Sequence, residues 1–258
     1  MELMVPVKNG EIWADDTGGD GPPLVLLHPG IADSDVWDAV VPTLARHHRV
    51  IRYDARGYGR SPAPTAAYSQ AEDLAAVLGH LGLERAALAG TSMGGATAIN
   101  LALDTPDRVT ALALVCPGVT GCPELTSPAL TDEIGALARA GDMDGLVALA
   151  LRTWAAAGTP PDTEAAGLLR RAIPAWFSTY PHQVADAPAY DRLGELRQPS
   201  LVVVAGRDQP EVVRCNEEMA TRIPGCRLER LPDCDHLPTL RDPQTVARLI
   251  LEVTSGTS

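Results

Sequence analysis

Lysine occurs once in this chain, at Lys8, so its positive charge rests almost wholly on arginine. With 33 acidic against 21 basic side chains the net charge is −12. That balance argues against electrostatic binding to nucleic acid or to an anionic membrane surface. No apolar run approaches the roughly 18 residues of a membrane span. The opening stretch, Met1 to Lys8, lacks the basic-then-apolar order of a secretory signal. Five cysteines make an odd number without metal-ligand spacing, which reads as reduced thiols in a cytoplasmic protein. The expectation is a protein without metal or cofactor. Internal repeats and low-complexity tracts are lacking too, and phenylalanine occurs once.

What is present is enough for one sizeable core with a small appendage: 258 residues, 45% of them apolar. Short apolar runs alternate with amphipathic stretches, the pattern of a mostly parallel sheet with helices on both faces. The expected strands are Leu3–Val7 and Glu11–Asp15, forming a hairpin around Asn9-Gly10, then Leu24–Leu27, Arg49–Tyr53, Ala86–Ala89, Thr110–Val115, Ser200–Val204 and Arg227–Leu231. Helices are expected at Asp35–His47, Gln70–Leu81, Gly94–Leu103, Val212–Arg222 and Pro243–Val253.

Between residues 119 and 190 the strand pattern stops. Helical stretches (Thr131–Ala140, Gly145–Ala156, Thr163–Ile173) are broken there by Pro and Gly, and Trp154, Trp176, Phe177 and Tyr180 gather among them. The expected organisation is a core over 1–118 and 191–258, with a helical cap inserted over 119–190. Such an insertion leaves from the strand ends, where α/β proteins hold ligands, and so reads as a lid.

The sharpest local signal is Gly90-Thr-Ser-Met-Gly94, directly after an apolar strand. Glycine two places before and two after Ser92 suits a strand-to-helix turn too tight for side chains, one that presents the serine hydroxyl at the sheet end. A serine hydroxyl needs a base to take its proton and a third group to orient that base. Of six histidines, His236 lies in a loop after the last strand, at the same sheet edge. His47 and His48 end a helix and read as solvated, His80 sits on a helix, His182 falls in the insertion, and His28 reads as loop structure. The acid is Asp208, directly after the strand at 200–204, where the bland alternative is a helix N-cap. Asp233 and Asp235 share a loop with His236, too close to meet Nδ1 while Nε2 faces Ser92. An oxyanion needs preset N–H donors. Met93 opens the helix after the turn, and the loop His28-Pro29-Gly30-Ile31 supplies the second donor. Pro29 has no N–H, which leaves Gly30 or Ile31, with Gly30 preferred.

Together these segments resemble the α/β-hydrolase superfamily with a cap domain, over essentially the whole chain. Leu26-Leu-His-Pro-Gly30 is similar to the family's His-Gly oxyanion segment, departing from it at Pro29. Tyr53-Asp-Ala-Arg-Gly-Tyr-Gly-Arg-Ser-Pro62 resembles its Asp-x-Arg-Gly-x-Gly-x-Ser segment, here read as a structural turn with Tyr58 toward the pocket. Asp208-Gln-Pro210 and Asp235-His-Leu-Pro238 resemble its acid and histidine loops, although Gly206-Arg-Asp208 is one residue shorter than the common Gly-x-x-Asp. The resemblance implies an eight-stranded, mostly parallel sheet with a small helical cap. Among members the chain looks most like small esterases and lactonases of the 3-oxoadipate enol-lactonase and carboxylesterase type. Haloalkane dehalogenases and epoxide hydrolases place aspartate where this chain has Ser92, which disfavours those chemistries.

The reading is therefore a cofactor-independent serine hydrolase of a carboxylic ester or lactone. Its substrate is a small molecule with an apolar portion, set among Ile31, Trp37, Tyr58, Trp154, Trp176, Phe177 and Tyr180. The cap arginines Arg139, Arg152, Arg170 and Arg171 read as solvated helix faces, or as groups meeting a substrate carboxylate. The alternatives are the same triad used for C–C hydrolysis, acyl transfer or a non-hydrolytic step, and a ligand-binding receptor on the same fold.

Overall fold

The computed structural model describes residues 1–122, 125 and 127–255. Eight strands form one sheet in the order β1-β2-β4-β3-β5-β6-β7-β8. They are β1 (Glu2–Val7), β2 (Gly10–Asp16), β3 (Pro23–Leu27), β4 (Arg49–Tyr53), β5 (Ala86–Ser92), β6 (Val109–Pro117), β7 (Ser200–Ala205) and β8 (Arg227–Leu231). β1 pairs antiparallel with β2, and β2 with β4; every later neighbour is parallel.

The central strands are buried on both faces, so they read as unbroken apolar runs such as Leu201-Val-Val-Val-Ala205. The two-residue period of a strand then divides each run between two cores. Leu112 and Leu114 of β6 face a core shared with α2 (Gln70–His80), α3 (Met93–Asp104) and α7 (Pro210–Arg222). Ala111, Ala113 and Val115 face the other, shared with α1 (Val41–Leu44) and α9 (Pro243–Thr254).

The expected helix over Asp35–His47 is two short pieces: a 3-10 turn, Ser34–Trp37, and α1. Pro42 stands in the first turn of α1, where its missing N–H is harmless, but a proline disfavours a helix running through from before it. His48, expected to be solvated, is buried: Nδ1 lies 3.0 Å from the Pro22 carbonyl, and Nε2 lies 2.9 Å from the Thr254 hydroxyl of α9.

Between β6 and β7 the described residues form α4 (Pro128–Ala140), α5 (Met143–Trp154) and α6 (Thr163–Thr179) and no strand. Residues 123, 124 and 126 of this stretch lie outside the described residues. α6 runs six residues past its expected end, through Pro174. The proline ring sits on the exposed face, and the buried series Leu168, Leu169, Ala172, Ala175 and Thr179 continues beneath it at helical spacing. No helix of the described chain is long and apolar enough to cross a membrane.

Candidate active site

The turn from β5 into α3 is as tight as its glycines require. A Cβ on Gly90 would lie 2.4 Å from the Gly94 carbonyl oxygen, and one on Gly94 would lie 2.3 Å from that of Leu27. Real Cβ contacts do not come that close, so both positions are closed to side chains. Between them Ser92 takes φ +50° and ψ −114°, a strained conformation for a non-glycine residue. It is half-buried, at the edge of the sheet.

β5 pairs Ser92 with Pro117, and the Gly118 N–H donates to the Ser92 carbonyl at 2.9 Å. The residue before Pro117 is Cys116, also at positive φ (+44°). Its sulfur, a carboxylate oxygen of Asp208 and a ring nitrogen of His236 all lie within 4.8 Å of one another. The structure thus gathers the serine turn, the acid and the histidine at one sheet edge.

Asp208 Oδ2 lies 2.5 Å from His236 Nδ1, and both side chains are buried. The short Gly206-Arg-Asp208 loop reaches its partner because main-chain bonds tie it to the histidine loop. Gly206 N–H donates to Leu231 (2.9 Å), and Arg207 N–H to Cys234 (2.9 Å). A Cβ on Gly206 would meet the Pro232 oxygen at 2.7 Å, so this approach needs glycine. Asp208 does not cap α7, whose N-cap is Gln209. Of the rival acids, Asp233 is exposed. Asp235 is occupied: it accepts the Leu237 N–H (3.0 Å), the Ala157 N–H (2.9 Å) and Arg241 Nε (2.9 Å).

Cys116, Asp208 and His236 are also the donors among the described residues that lie close enough to hold a metal ion. They fit one poorly. Asp208 and His236 already take each other, and burial, with Asp208 beside it, pushes the Cys116 thiol well up, so it stays protonated.

Met93 is the first residue of α3, where helix N–H groups have no intrahelical acceptor. Across from it stands Gly30: a Cβ there would lie 3.6 Å from Met93 Sδ and 3.6 Å from the Tyr58 hydroxyl. Among the described residues neither the Gly30 nor the Ile31 amide donates to another group. His28 shapes this loop. It accepts the Ala55 N–H on Nε2 (2.9 Å), which leaves the proton on Nδ1 to be donated to the Pro29 carbonyl (2.8 Å).

The residues expected to line a pocket divide. Ile31 and Tyr58 are buried beside the Gly30 loop, and Tyr58 packs its ring 5.0 Å from that of His28. Trp154 and Trp176 meet edge to face, 5.7 Å between centroids. Trp37 is fully buried in the core behind the sheet and walls no pocket. Phe177 lines a cavity of about 430 Å³ with Arg139, Met143 and Leu146, away from Ser92. Tyr180 follows the end of α6 and is 84% exposed, which removes it from any pocket wall. Three of the arginines between β6 and β7 are taken by the protein's own acids: Arg152 by Glu133, Arg170 by Asp144, and Arg171 by the buried Asp33 at 2.7 Å.

The segment from Asp54 to Ser61 is the structural turn expected. Asp54 is fully buried and accepts the N–H groups of Ser34 and Arg60, each at 2.8 Å. Arg56, also buried, forms a two-pronged pair with Asp73 at 2.7 Å on each prong.

Residues 22–181 match the family model of the alpha/beta hydrolase fold. The chain belongs to that family. It is 30% identical to a pimeloyl-[acyl-carrier protein] methyl ester esterase of Aromatoleum aromaticum, over 91% of this chain and 99% of that protein. It is 28% identical to a 2-hydroxy-6-oxononadienedioate/2-hydroxy-6-oxononatrienedioate hydrolase of Cupriavidus pinatubonensis, over 96% of this chain and 93% of that one. Among solved structures, a hydrolase from Pseudomonas aeruginosa PA01 superposes with a TM-score of 0.83 at 28% identity, covering 98% of this chain and 97% of its own. These relatives are hydrolases, and this α/β-hydrolase is an enzyme of that broad kind.

What the sequence did not single out is Cys116, the Asp235–Arg241 pair and the contacts of Trp154 and Trp176 with the His236 and Gly30 loops. For Cys116 a signal existed: it stands where β6 leaves the sheet, beside Pro117-Gly118.

Proposed function

We propose that the chain is a cofactor-independent serine hydrolase that cleaves a carboxylic ester, open-chain or cyclic. The observation that carries this reading is the Asp208–His236 pair at 2.5 Å, at the sheet edge that holds the strained Ser92 turn.

Asp208 accepts a hydrogen bond from Nδ1–H, which keeps the proton on Nδ1 and leaves Nε2 as the basic nitrogen. Nε2 takes the Ser92 proton as Oγ bonds to the substrate carbonyl carbon, and the carbonyl π-electrons move to oxygen. The Met93 and Gly30 amides hold that oxyanion. Collapse of the tetrahedral centre breaks the C–O bond, and the departing alkoxide takes the proton from His236. Water then repeats the sequence on the acyl-enzyme: His236 removes its proton, the acid product leaves, and Ser92 regains its hydrogen. The esterase among the relatives supports ester over other carbonyl substrates. The helices between β6 and β7 form the lid over this site, within a cap of about residues 119–190, and an apolar part of a small substrate lies against Trp154 and Trp176.

Hydrolysis of a C–C bond by the same residues is a second reading, favoured by the oxononadienedioate hydrolase relative. Assaying p-nitrophenyl esters, lactones and a vinylogous diketone with the wild type and Ser92→Ala separates them. Ester turnover that vanishes in the variant is the expected result. Ester turnover surviving in a folded Ser92→Ala protein overturns the mechanism, and turnover of the diketone alone moves the assignment to C–C cleavage.

A further inference from the structure

The two cap tryptophans reach the two loops that carry the proposed chemistry. From α6, Trp176 donates its Nε1–H to the Gly30 carbonyl at 2.6 Å. At the end of α5, the Trp154 carbonyl accepts the His236 N–H at 3.1 Å. The two rings touch edge to face at 5.7 Å. A continuous path thus runs from the oxyanion loop to the histidine loop without passing through the sheet.

We infer that Trp176 is a positioning residue for the oxyanion loop, with the Trp154 ring backing it and the Trp154 main chain bracing the histidine loop, so that these helices form part of the apparatus that holds the transition state. The inference rests on the serine-hydrolase reading above.

The physical argument begins with Gly30. A glycine has the widest backbone freedom of any residue, so an oxyanion donor on glycine needs restraint from outside. Each flanking peptide unit is planar, and fixing its carbonyl fixes its N–H. The Pro29 carbonyl, in the unit that carries the Gly30 N–H, is held by His28 Nδ1 (2.8 Å) and by the Ala32 N–H (3.2 Å). The Gly30 carbonyl, in the next unit, is held by Trp176 alone among the described residues. The first restraint comes from within the loop. The second comes from 146 residues away, on α6. Removing the indole N–H leaves the Gly30 carbonyl unpaired and frees the peptide unit that carries the Ile31 N–H, so the oxyanion loop is then held only at the unit before Gly30 and the second candidate donor loses its restraint.

The histidine loop is restrained from the same side. Besides the Trp154 carbonyl, Asp235 accepts the Ala157 N–H, and Arg241 links Asp235 (2.9 Å) to Asp162 (2.7 Å), which caps α6. The loop between α5 and α6 is thereby fixed next to His236. Preset donors work because they need no reorganisation when charge develops, and a donor that wanders loses that advantage.

The test is Trp176→Phe, which keeps a ring against Trp154 and removes the N–H. With p-nitrophenyl butyrate, kcat should fall about tenfold while KM stays within about twofold. A trifluoromethyl ketone, whose serine adduct places an oxyanion in the same hole, should bind about tenfold more weakly. Melting temperature should fall by about 2–8 °C, the cost of the unpaired carbonyl, with the fold retained. A lowered melting temperature with kcat and ketone affinity unchanged overturns the inference, since that is what a purely structural tryptophan gives. If Trp176→Phe fails to fold, β-(3-benzothienyl)alanine at position 176 keeps the indole shape with sulfur in place of N–H. The same two outcomes then decide.

Fluorophosphonate labelling of the wild type at Ser92 is run alongside. Labelled wild type with an unaffected Trp176 variant defeats the inference and leaves the serine mechanism standing. Unlabelled wild type defeats both.

Discussion

The carboxylate of Asp208 and the imidazole Nδ1 of His236 stand 2.5 Å apart, joining two loops 28 residues distant in sequence. Both side chains are buried, so little water competes for the bond. Asp208→Asn replaces an acceptor with an amide that turns an N–H toward Nδ1. The proton then sits on Nε2, facing Ser92, where a base is needed. We expect a loss in kcat of about ten-thousandfold with the fold retained. Steady-state kinetics and circular dichroism check this. A loss under tenfold would remove Asp208 from the mechanism.

Two glycine-to-alanine changes should act in opposite directions. Gly94→Ala drives a Cβ to within 2.3 Å of the Leu27 carbonyl oxygen, against backbone that cannot yield. It should cost about 3 kcal/mol of stability. Gly79, inside α2, has no atom within 4 Å of the added Cβ. Gly79→Ala should add about 0.5–1 kcal/mol through helix propensity alone. Urea unfolding of the two variants reads both signs.

His48 sets an acid dependence of stability. Burial holds its pKa below the ordinary 6.5, in spite of the Pro22 carbonyl. The unfolded chain therefore binds the proton more readily than the folded one. Stability from the neutral imidazole is present above pH 6.5, falls as the pH drops through that value, and levels off below the folded pKa. His48→Gln should flatten this part of the profile of melting temperature against pH. An unchanged slope would remove His48 as its source.

Burial in the fold disfavours the thiolate at three of the five cysteines. Burial pushes Cys226 and Cys234 up to about 11 each, and Cys116 well above its ordinary value. At pH 8 a pKa near 11 leaves about one thiolate in a thousand. Iodoacetamide should leave these three unmodified in the native protein and alkylate them after unfolding in urea, as peptide mass spectrometry can record. Rapid native labelling at Cys116 would contradict its place in the interior.

The strands were legible because their burial is simple. Leu24–Leu27 and Leu201–Val204 are apolar without interruption, and a strand buried on both faces has no other pattern. The geometry of the candidate site was legible because its constraints are local: Gly90, Gly94 and Gly206 each mark a close backbone approach, and Asp208 and His236 each follow a strand end. Where the reading departed from the structure, a distant contact or a single proline decided. Pro42 divides one expected helix, whereas Pro174 fails to stop another because its ring faces outward. His48 is buried by Thr254, 206 residues away. The Trp176–Gly30 bond spans 146 residues and leaves no periodic mark in the sequence. The lining aromatics were the weakest expectation for the same reason. An aromatic in a helix reads alike whether it ends in the core, as Trp37 does, or in solvent, as Tyr180 does.

The central claim is that Ser92 is the nucleophile. It is tested most directly by treating the folded protein with a fluorophosphonate and locating the adduct by peptide mass spectrometry. The account predicts one stoichiometric adduct, on Ser92, with parallel loss of ester hydrolysis and no adduct in Ser92→Ala. Full hydrolytic activity with Ser92 unmodified, or an adduct on another residue that tracks the loss of activity, would contradict it.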